Sequence, residues 1–219
     1  MIRLHHVPYS RSFRILWLLE ELGLDYEIET YSLRDGSLRA PEVLEKSPGG
    51  RVPALEIDGR AICESGAIVQ YLCERHPEAD LMPAPGEPDR APFLEALGYA
   101  ETMASLIEFL NVQHVFLRDP SEASPVVIKL TTARLRATLG GLETRLEGRD
   151  YLLGGQFSGA DVMMGFNLYA APFFVRLDPF PALRAYAERI AGREAYGRAL
   201  AREGRQEFYD RDFYPVPEV

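Results

Sequence analysis

A proline-rich segment at residues 81–92, LMPAPGEPDRAP, divides the chain into two parts with different secondary-structure patterns. Its four prolines and one glycine disfavour a continuous helix or a central strand. Before this segment, short β-prone runs alternate with helical patterns, whereas after it only helical spacing recurs. The sequence therefore predicts an α/β domain over residues 1–80, a linker at 81–92 and an all-helical domain over 93–219.

The first part predicts the order β-α-β, then a short helix, then β-β-α. The opening β-α-β unit usually makes parallel strands, and Asp58-Gly59 between two short apolar runs is a strong hairpin signal. A mixed sheet is expected. The helices of this part are expected at residues 10–23, 41–46 and 64–76, and its strands at 2–7, 26–31 and on either side of the Asp58-Gly59 turn.

In the second part, Ser158 and Asp161 within FSGAD approximate a helix capping box, with Asp where Glu or Gln is commoner. This pattern indicates how a buried helix begins and says nothing about chemistry. Helical periodicity predicts helices at about 93–117, 125–146, 158–172, 181–191 and 194–208.

Composition and charge narrow the function classes. The chain has 219 residues and a formal charge of −9, which disfavours a nucleic-acid partner or an anionic membrane surface. The sequence shows neither a signal-peptide pattern nor an apolar run of membrane-spanning length, so an unexported, cytoplasmic protein is expected. Cys63 and Cys73 form no C-x-x-C, which indicates reduced thiols. The four histidines have no metal-ligand spacing, and no metal is expected.

Two short patterns in the first part suit a ligand with peptide character. In RVPAL, a cis Pro53 would turn the backbone N–H and C=O of Val52 outward as a two-point clamp, although a strand-initiating proline alone explains the string. In ESGAI, Glu64 and Ser65 are expected at a helix N-terminus, where N–H groups attract a carboxylate and Glu64 can pair with an ammonium group. The alternative for Ser65 is a capping role only.

The turn YSRSFR between the first strand and the first helix is the third pattern. A hydroxyl there lies outside the carboxyl end of a strand, where open α/β sheets bind ligands. Ser10 is a candidate to donate a hydrogen bond to a thiolate, and capping of the helix is an equally good explanation of it. The sequence has no G-x-S-x-G, which argues against a serine hydrolase.

Taken together, these patterns resemble the cytosolic glutathione transferases, in the order and spacing of that family. The resemblance rests on SRSFRILWLLEELGLDYE, on VPALEIDG with ESGAIVQYL, and on LLGG with FSGAD, over about 150 residues. It implies a thioredoxin-like first domain, a helical second domain, and glutathione as co-substrate in a transfer to a small, apolar electrophile. It also implies a homodimer joined along the first two long helices and the α/β domain.

The resemblance also implies residue roles in glutathione binding. The Val52 backbone before Pro53 clamps the cysteinyl part, Glu64 and Ser65 hold the γ-glutamyl end, and Arg51 assists. Arg39 and Lys46 are weaker candidates for the glycyl carboxylate.

At the glutathione sulfur, Ser10 matches the serine of the serine-using members. The match extends to the arginine four residues later, Arg14. Tyr9 and Arg11 are alternatives to Ser10, and the absence of cysteine from this turn argues against the cysteine-using branches. Cys63 is close enough to Ser65 to line the site, although a buried structural thiol is the simpler interpretation.

The electrophile pocket is expected between the domains. Two other functions remain open on the same fold: a non-catalytic binding or regulatory protein, and a glutathione-dependent peroxidase, dehalogenase or isomerase. The side chains available as pocket walls are Tyr99, Met103, Phe109, His114, Phe116, Phe208, Tyr209 and Phe213.

Overall fold

A computed structural model describes residues 1–217 of the chain. The chain forms two compact units, and residues 81–90 of the predicted linker belong to the first of them. The first unit comprises Met1–Arg90 together with Ala191–Glu207, and the second comprises Ala91–Ile190 together with the chain from Phe208 onward. Residues 191–207, predicted within the helical domain, thus group with the α/β unit.

The first unit is built on a four-stranded mixed sheet with the order β2-β1-β3-β4. Strands β1 and β2 are parallel, and the β1–β3 and β3–β4 pairs are antiparallel, which confirms the predicted mixed sheet. Asp58 and Gly59 have positive φ angles of 52° and 77°, as a type I′ hairpin turn requires. The strands are β1 (Ile2–His6), β2 (Glu27–Thr30), β3 (Ala54–Ile57) and β4 (Arg60–Cys63).

The helices of this unit are α1 (Phe13–Glu21), α2 (Pro41–Lys46), α3 (Ser65–Arg75) and α8 (Glu194–Arg202). Helix α1 begins three residues later than predicted, because Ser10–Ser12 form a turn. The predicted helix over 194–208 is six residues too long, since α8 ends at Arg202. Strand β2 lies at the sheet edge, where Ile28 is partly buried and the glutamates on either side of it are exposed.

Helix α8 packs against α1, which has no solvent-exposed face along most of its length. Every residue from Phe13 to Leu19 is buried. Tyr196 of α8 makes edge contacts with the rings of Phe13 and Trp17, at centroid distances of 5.3 and 4.9 Å. At the end of α1, Arg193 forms a bidentate pair with Glu21 at 2.6 and 2.8 Å. Helix α8 therefore completes the core of the α/β unit.

The second unit is helical. Helix α6 is buried along almost all of its length, with the predicted capping box at its start: Asp161 accepts the Ser158 N–H at 2.8 Å, and Ser158 Oγ accepts the Ala160 N–H at 3.3 Å. The helices of this unit are α4 (Arg90–Asn111), α5 (Pro125–Leu146), α6 (Gly159–Ala170) and α7 (Pro181–Ala191). A π-helical turn, Val112–Phe116, extends α4. Among residues 1–217, no helix has the length and apolarity needed to cross a bilayer.

Candidate functional site

The α/β unit contains a cavity of about 240 Å³ whose walls come from three separate parts of the chain. These are the turn after β1, the loop between α2 and β3, and the junction of β4 with α3. The lining residues are Arg11, Ser47, Pro48, Gly49, Arg51, Val52, Pro53, Cys63, Glu64 and Ser65. The four core residues of the predicted site, Val52, Pro53, Glu64 and Ser65, are thus brought together with Arg51.

The loop wall is held in place by Ser47, which sequence reasoning missed. Ser47 is buried; its hydroxyl donates to the Arg51 carbonyl at 2.8 Å and accepts the Arg51 N–H at 3.1 Å. Gly50 closes the loop with φ 58°, and a Cβ on it would lie 2.9 Å from the Leu38 carbonyl oxygen. The Val52–Pro53 peptide bond that follows is cis, as expected. The local signal for this loop was the SPGG string before Arg51.

The opposite wall is the start of α3. Glu64 occupies the N-cap position with φ 71° and ψ 116°, and its side chain makes no capping hydrogen bond. The N-cap role considered for Ser65 is therefore wrong, because Ser65 is the first helical residue. A non-glycine residue at positive φ is strained by about 1–3 kcal/mol. This backbone places Glu64 and Ser65, at the N-terminus of α3, in one wall of the cavity.

The structure places the remaining sequence candidates partly inside and partly outside the cavity lining. Of the described residues that line the cavity, Arg11 and Arg51 are the cations, whereas Arg39 and Lys46 are not in the lining. Lys46 Nζ lies 3.5 Å from a Glu56 carboxylate oxygen, and Arg39 donates to the Gly49 carbonyl at 3.4 Å. Cys63 lines the cavity and is only partly buried, with its thiol 3.4 Å from the Lys46 carbonyl.

Of the three candidates for contact with sulfur, Arg11 is in the lining of the described cavity, and Tyr9 and Ser10 are not. They lie immediately beside Arg11 in the turn. Ser10 Oγ is 2.8 Å from Ser12 Oγ and accepts the Ser12 N–H at 3.2 Å, so Ser10 shapes the turn before α1. Tyr9 has a positive φ of 60°, and its N–H donates to a carboxylate oxygen of Glu203 at 2.5 Å.

Behind the turn lies a buried polar cluster that the sequence did not predict. Ser12 Oγ is 2.8 Å from Nδ1 of His6, and Nε2 of His6 is 2.9 Å from the Glu203 carbonyl oxygen. Burial lowers the pKa of the His6 imidazole, so His6 is neutral near pH 7. Burial raises the pKa of the Glu203 carboxyl to about 8, although its hydrogen bond from the Tyr9 N–H acts in the opposite direction.

The second unit carries an aromatic cluster around the π-helical turn. Phe173 and Tyr209 stack with their centroids 3.9 Å apart, and Tyr209 donates a hydrogen bond to Asn111 at 2.9 Å. Phe116 contacts Phe208 at a centroid distance of 5.6 Å. Burial, with a smaller contribution from Arg211, lowers the pKa of His114, whose ring stacks on Phe174.

The comparisons of this chain with known proteins all find members of one family. The model of the glutathione S-transferase N-terminal domain matches residues 4–80, and that of the glutathione S-transferase C-terminal domain matches residues 125–189. Glutathione S-transferase 1 of Saccharomyces cerevisiae is 30% identical to this chain, over 90% of this chain and 92% of the yeast protein.

Other relatives carry different activity names. The disulfide-bond oxidoreductase YfcG of Escherichia coli is 30% identical, over 91% of this chain and 94% of its own length. Maleylacetoacetate isomerase of Pseudomonas aeruginosa is 31% identical, over 87% of this chain and 91% of its own length.

A solved structure agrees with these relatives. The sphingomonad glutathione S-transferase complexed with glutathione has a TM-score of 0.76 at 30% identity, over 92% of this chain and 98% of that one. The domain models, the yeast relative and the fold together show that this chain belongs to the glutathione S-transferase family of enzymes.

Proposed function

We propose that the chain binds glutathione in the cavity of the α/β unit and transfers its thiolate to a small, apolar electrophile. The observation that carries the proposal is the charge pattern of the cavity. Arg11 and Arg51 supply two cations, Glu64 supplies one carboxylate, and the N-terminus of α3 supplies backbone donors. Glutathione has two carboxylates, one ammonium group and an ionisable thiol, which this pattern complements.

The orientation of the tripeptide follows from the separate walls. The γ-glutamyl ammonium group pairs with Glu64, and its carboxylate binds at Ser65 and the α3 N-terminus. The Val52 backbone pairs with the cysteinyl peptide, in the manner of an added strand. The glycyl carboxylate then points toward Arg51, whose backbone is fixed by Ser47. Arg39, which donates to the Gly49 carbonyl in the cavity wall, and Lys46, which pairs with Glu56, are the weaker candidates for this carboxylate.

The thiol is activated at the turn after β1. Lowering a thiol pKa by two units requires about 2.7 kcal/mol of preferential thiolate stabilisation. A hydrogen bond to a charged group supplies about 1.5–3 kcal/mol, and a helix N-terminus supplies about 0.3–1 kcal/mol. A hydrogen bond from Ser10, with Arg11 as a nearby cation, is therefore sufficient without a strong base.

In this proposal the electrophile is apolar and can carry an aromatic group. The aromatic cluster of the second unit offers flat faces, and such faces stack on planar apolar groups. The free thiols of Cys63 and Cys73 are consistent with a reducing compartment, which supports a cytoplasmic location.

A homodimer is also part of the proposal. Helices α4 and α5 each expose a stripe of small and apolar residues at helical spacing. Leu94 and Phe109 belong to the α4 stripe, which continues to Val112 in the π-helical turn, and Val126 and Leu130 belong to the α5 stripe. Exposed apolar stripes of this kind are typical of a surface that a second copy covers.

The proposal is tested by calorimetry and kinetics on Ser10→Ala, with Tyr9→Phe and Arg11→Ala measured beside it. We expect the wild type to bind glutathione, and Ser10→Ala to bind it with nearly unchanged affinity while kcat falls about 10- to 100-fold. Wild-type protein that takes up no glutathione at millimolar concentration defeats the binding proposal. If Ser10→Ala keeps its turnover, the contact with sulfur is assigned to Tyr9 or Arg11, according to which of their variants loses turnover.

The same protein distinguishes transfer from the other activities named among its relatives. A panel of aryl halides, enones, hydroperoxides, disulfides and cis-enone acids is incubated with glutathione, and the products are identified by mass spectrometry. Thioether products support the proposed transferase. Oxidised glutathione alone indicates a peroxidase or disulfide reductase, and an isomerised product without a glutathione adduct indicates an isomerase.

A further inference from the structure

The segment after α8 reaches back to the turn that carries Ser10. Glu203 is 4% exposed, and its carboxyl oxygen accepts the Tyr9 N–H at 2.5 Å. Gly204 follows with φ 91°, and a Cβ on it would lie 3.0 Å from Pro8 Cγ. The two residues thus pack closely against Pro8 and Tyr9, although 194 positions separate Glu203 from Tyr9.

Tyr9 needs support from outside its own turn. Its φ of 60° places a bulky residue in the left-handed region, which costs about 1–3 kcal/mol unless the surroundings hold it there. The hydrogen bond from its N–H to Glu203 is such a restraint. Because Ser10 follows Tyr9 directly, the backbone direction at Tyr9 sets the position of the Ser10 hydroxyl.

The Glu203 backbone acts on the same hydroxyl by a second route. A carbonyl oxygen can only accept, so Nε2 of the neutral His6 carries the proton that faces Glu203. Nδ1 of His6 is then a bare acceptor, and the Ser12 hydroxyl at 2.8 Å donates to it. Ser12 Oγ, which also accepts the Val7 N–H at 3.2 Å, is then an acceptor for the Ser10 hydroxyl at 2.8 Å. This contact holds the Ser10 oxygen in place, and the Ser10 proton turns from Ser12 to a stronger acceptor, such as a thiolate, when one is bound.

We propose that Glu203 is a positioning residue for Ser10: its carboxyl fixes the Tyr9 backbone, and its carbonyl, through His6 and Ser12, holds the Ser10 oxygen in place. This inference rests on the proposed role of Ser10 in activating glutathione. The groups that face Glu203 are Tyr9 from the turn, His6 from β1 and Tyr196 from α8. The residue acts on the geometry of the turn and does not touch the tripeptide.

The test compares Glu203→Ala and Glu203→Asp, which remove or withdraw the acceptor, with Glu203→Gln, whose amide oxygen still accepts from the Tyr9 N–H. Glu207→Gln, an exposed change in the same segment, is the matched control. Glutathione affinity is measured by calorimetry, the ionisation of bound thiol by its ultraviolet absorbance against pH, and kcat by product formation.

We expect Glu203→Ala and Glu203→Asp to lower kcat between about tenfold and about a hundredfold, because small displacements of a reacting group have effects of this size. The pH at which bound thiol ionises rises by about one unit in both variants, while glutathione affinity changes little. Glu203→Gln and the control retain wild-type values. In the absence of any ligand, amide exchange at Tyr9 accelerates in Glu203→Ala and Glu203→Asp only.

The inference is overturned by unchanged kcat and thiol ionisation in both Glu203→Ala and Glu203→Asp, and by a Glu203→Gln variant as impaired as they are. Equal losses of affinity and kcat also overturn it, because they indicate a purely structural role. If the wild type binds no glutathione, the proposed function is wrong instead. The rate of hydrogen exchange at the Tyr9 backbone amide then still decides whether Glu203 restrains the turn.

Discussion

At the scale of the residue, the most unusual group in the α/β unit is the buried carboxyl of Glu203. Burial raises its pKa to about 8, from an ordinary value of 4.5. The folded protein therefore holds a proton on Glu203 over a pH range in which the unfolded chain has lost it. Linkage then makes the stability of the protein depend on pH through this single side chain.

The sign follows from the raised pKa. Between pH about 4.5 and pH about 8, the unfolded state releases the proton that the folded state keeps. The free energy of unfolding therefore falls as pH rises through this range. The contribution of Glu203 to stability is complete below this range and falls by up to about 1.4 kcal/mol per pH unit within it. His6 acts in the opposite direction, because its lowered pKa makes the folded state lose stability as pH falls below about 6.5.

We expect the stability of Glu203→Gln relative to wild type to increase steadily between pH 5 and pH 8 and to level off above that range. The amide does not titrate, and the His6 contribution cancels in the difference. Urea unfolding at a series of pH values measures this difference. A difference that is flat across the range would show that Glu203 titrates normally in the folded protein.

At the scale of the element, α6 depends on the capping box at its start. The Ser158 side chain is 3% exposed and donates to Asp161 at 3.0 Å, and Asp161 also accepts the Tyr186 hydroxyl at 2.8 Å. Asp161 further accepts the Leu152 N–H at 3.0 Å. The box therefore links the start of the buried helix to α7 and to the preceding loop.

We expect Ser158→Ala to lower the free energy of unfolding by about 1–2 kcal/mol, the upper part of the range for loss of an N-cap, because the site is buried. Ser124→Ala at the start of α5 is the matched control. That cap is more exposed, and its hydrogen bond to the Val127 N–H is 3.4 Å long, so its loss costs less than about 0.5 kcal/mol. Urea unfolding of both variants compares them directly, and equal losses would show that burial of the box adds nothing.

At the scale of the whole molecule, the exposed stripes of α4 and α5 bear on the assembly of the protein. Leu130 and Phe109 are 56% and 59% exposed, which is unusual for large apolar side chains that recur at helical spacing. Burial of such a stripe against a second copy supplies about 25 cal/mol for each Å² of apolar surface removed from water.

We expect wild-type protein to sediment as a dimer and Leu130→Glu to sediment as a folded monomer, because a carboxylate buried at a two-fold interface is unpaired. Leu200→Glu on α8 is the control: Leu200 is 42% exposed and lies outside both stripes. Sedimentation velocity and circular dichroism measure assembly and folding separately. A Leu130→Glu variant that remains dimeric would place the interface elsewhere.

Local sequence patterns predict the order of strands and helices, the hairpin at Asp58-Gly59 and the capping box at Ser158, because each depends on periodicity or turn chemistry within a few residues. The grouping of Val52, Pro53, Glu64 and Ser65 was instead implied by the resemblance to the glutathione transferases. The tertiary structure alone decided that α8 covers α1 and that Glu203 reaches Tyr9. Those contacts join residues more than 170 positions apart, and no local pattern indicates which distant segment covers a helix that is buried along most of its length.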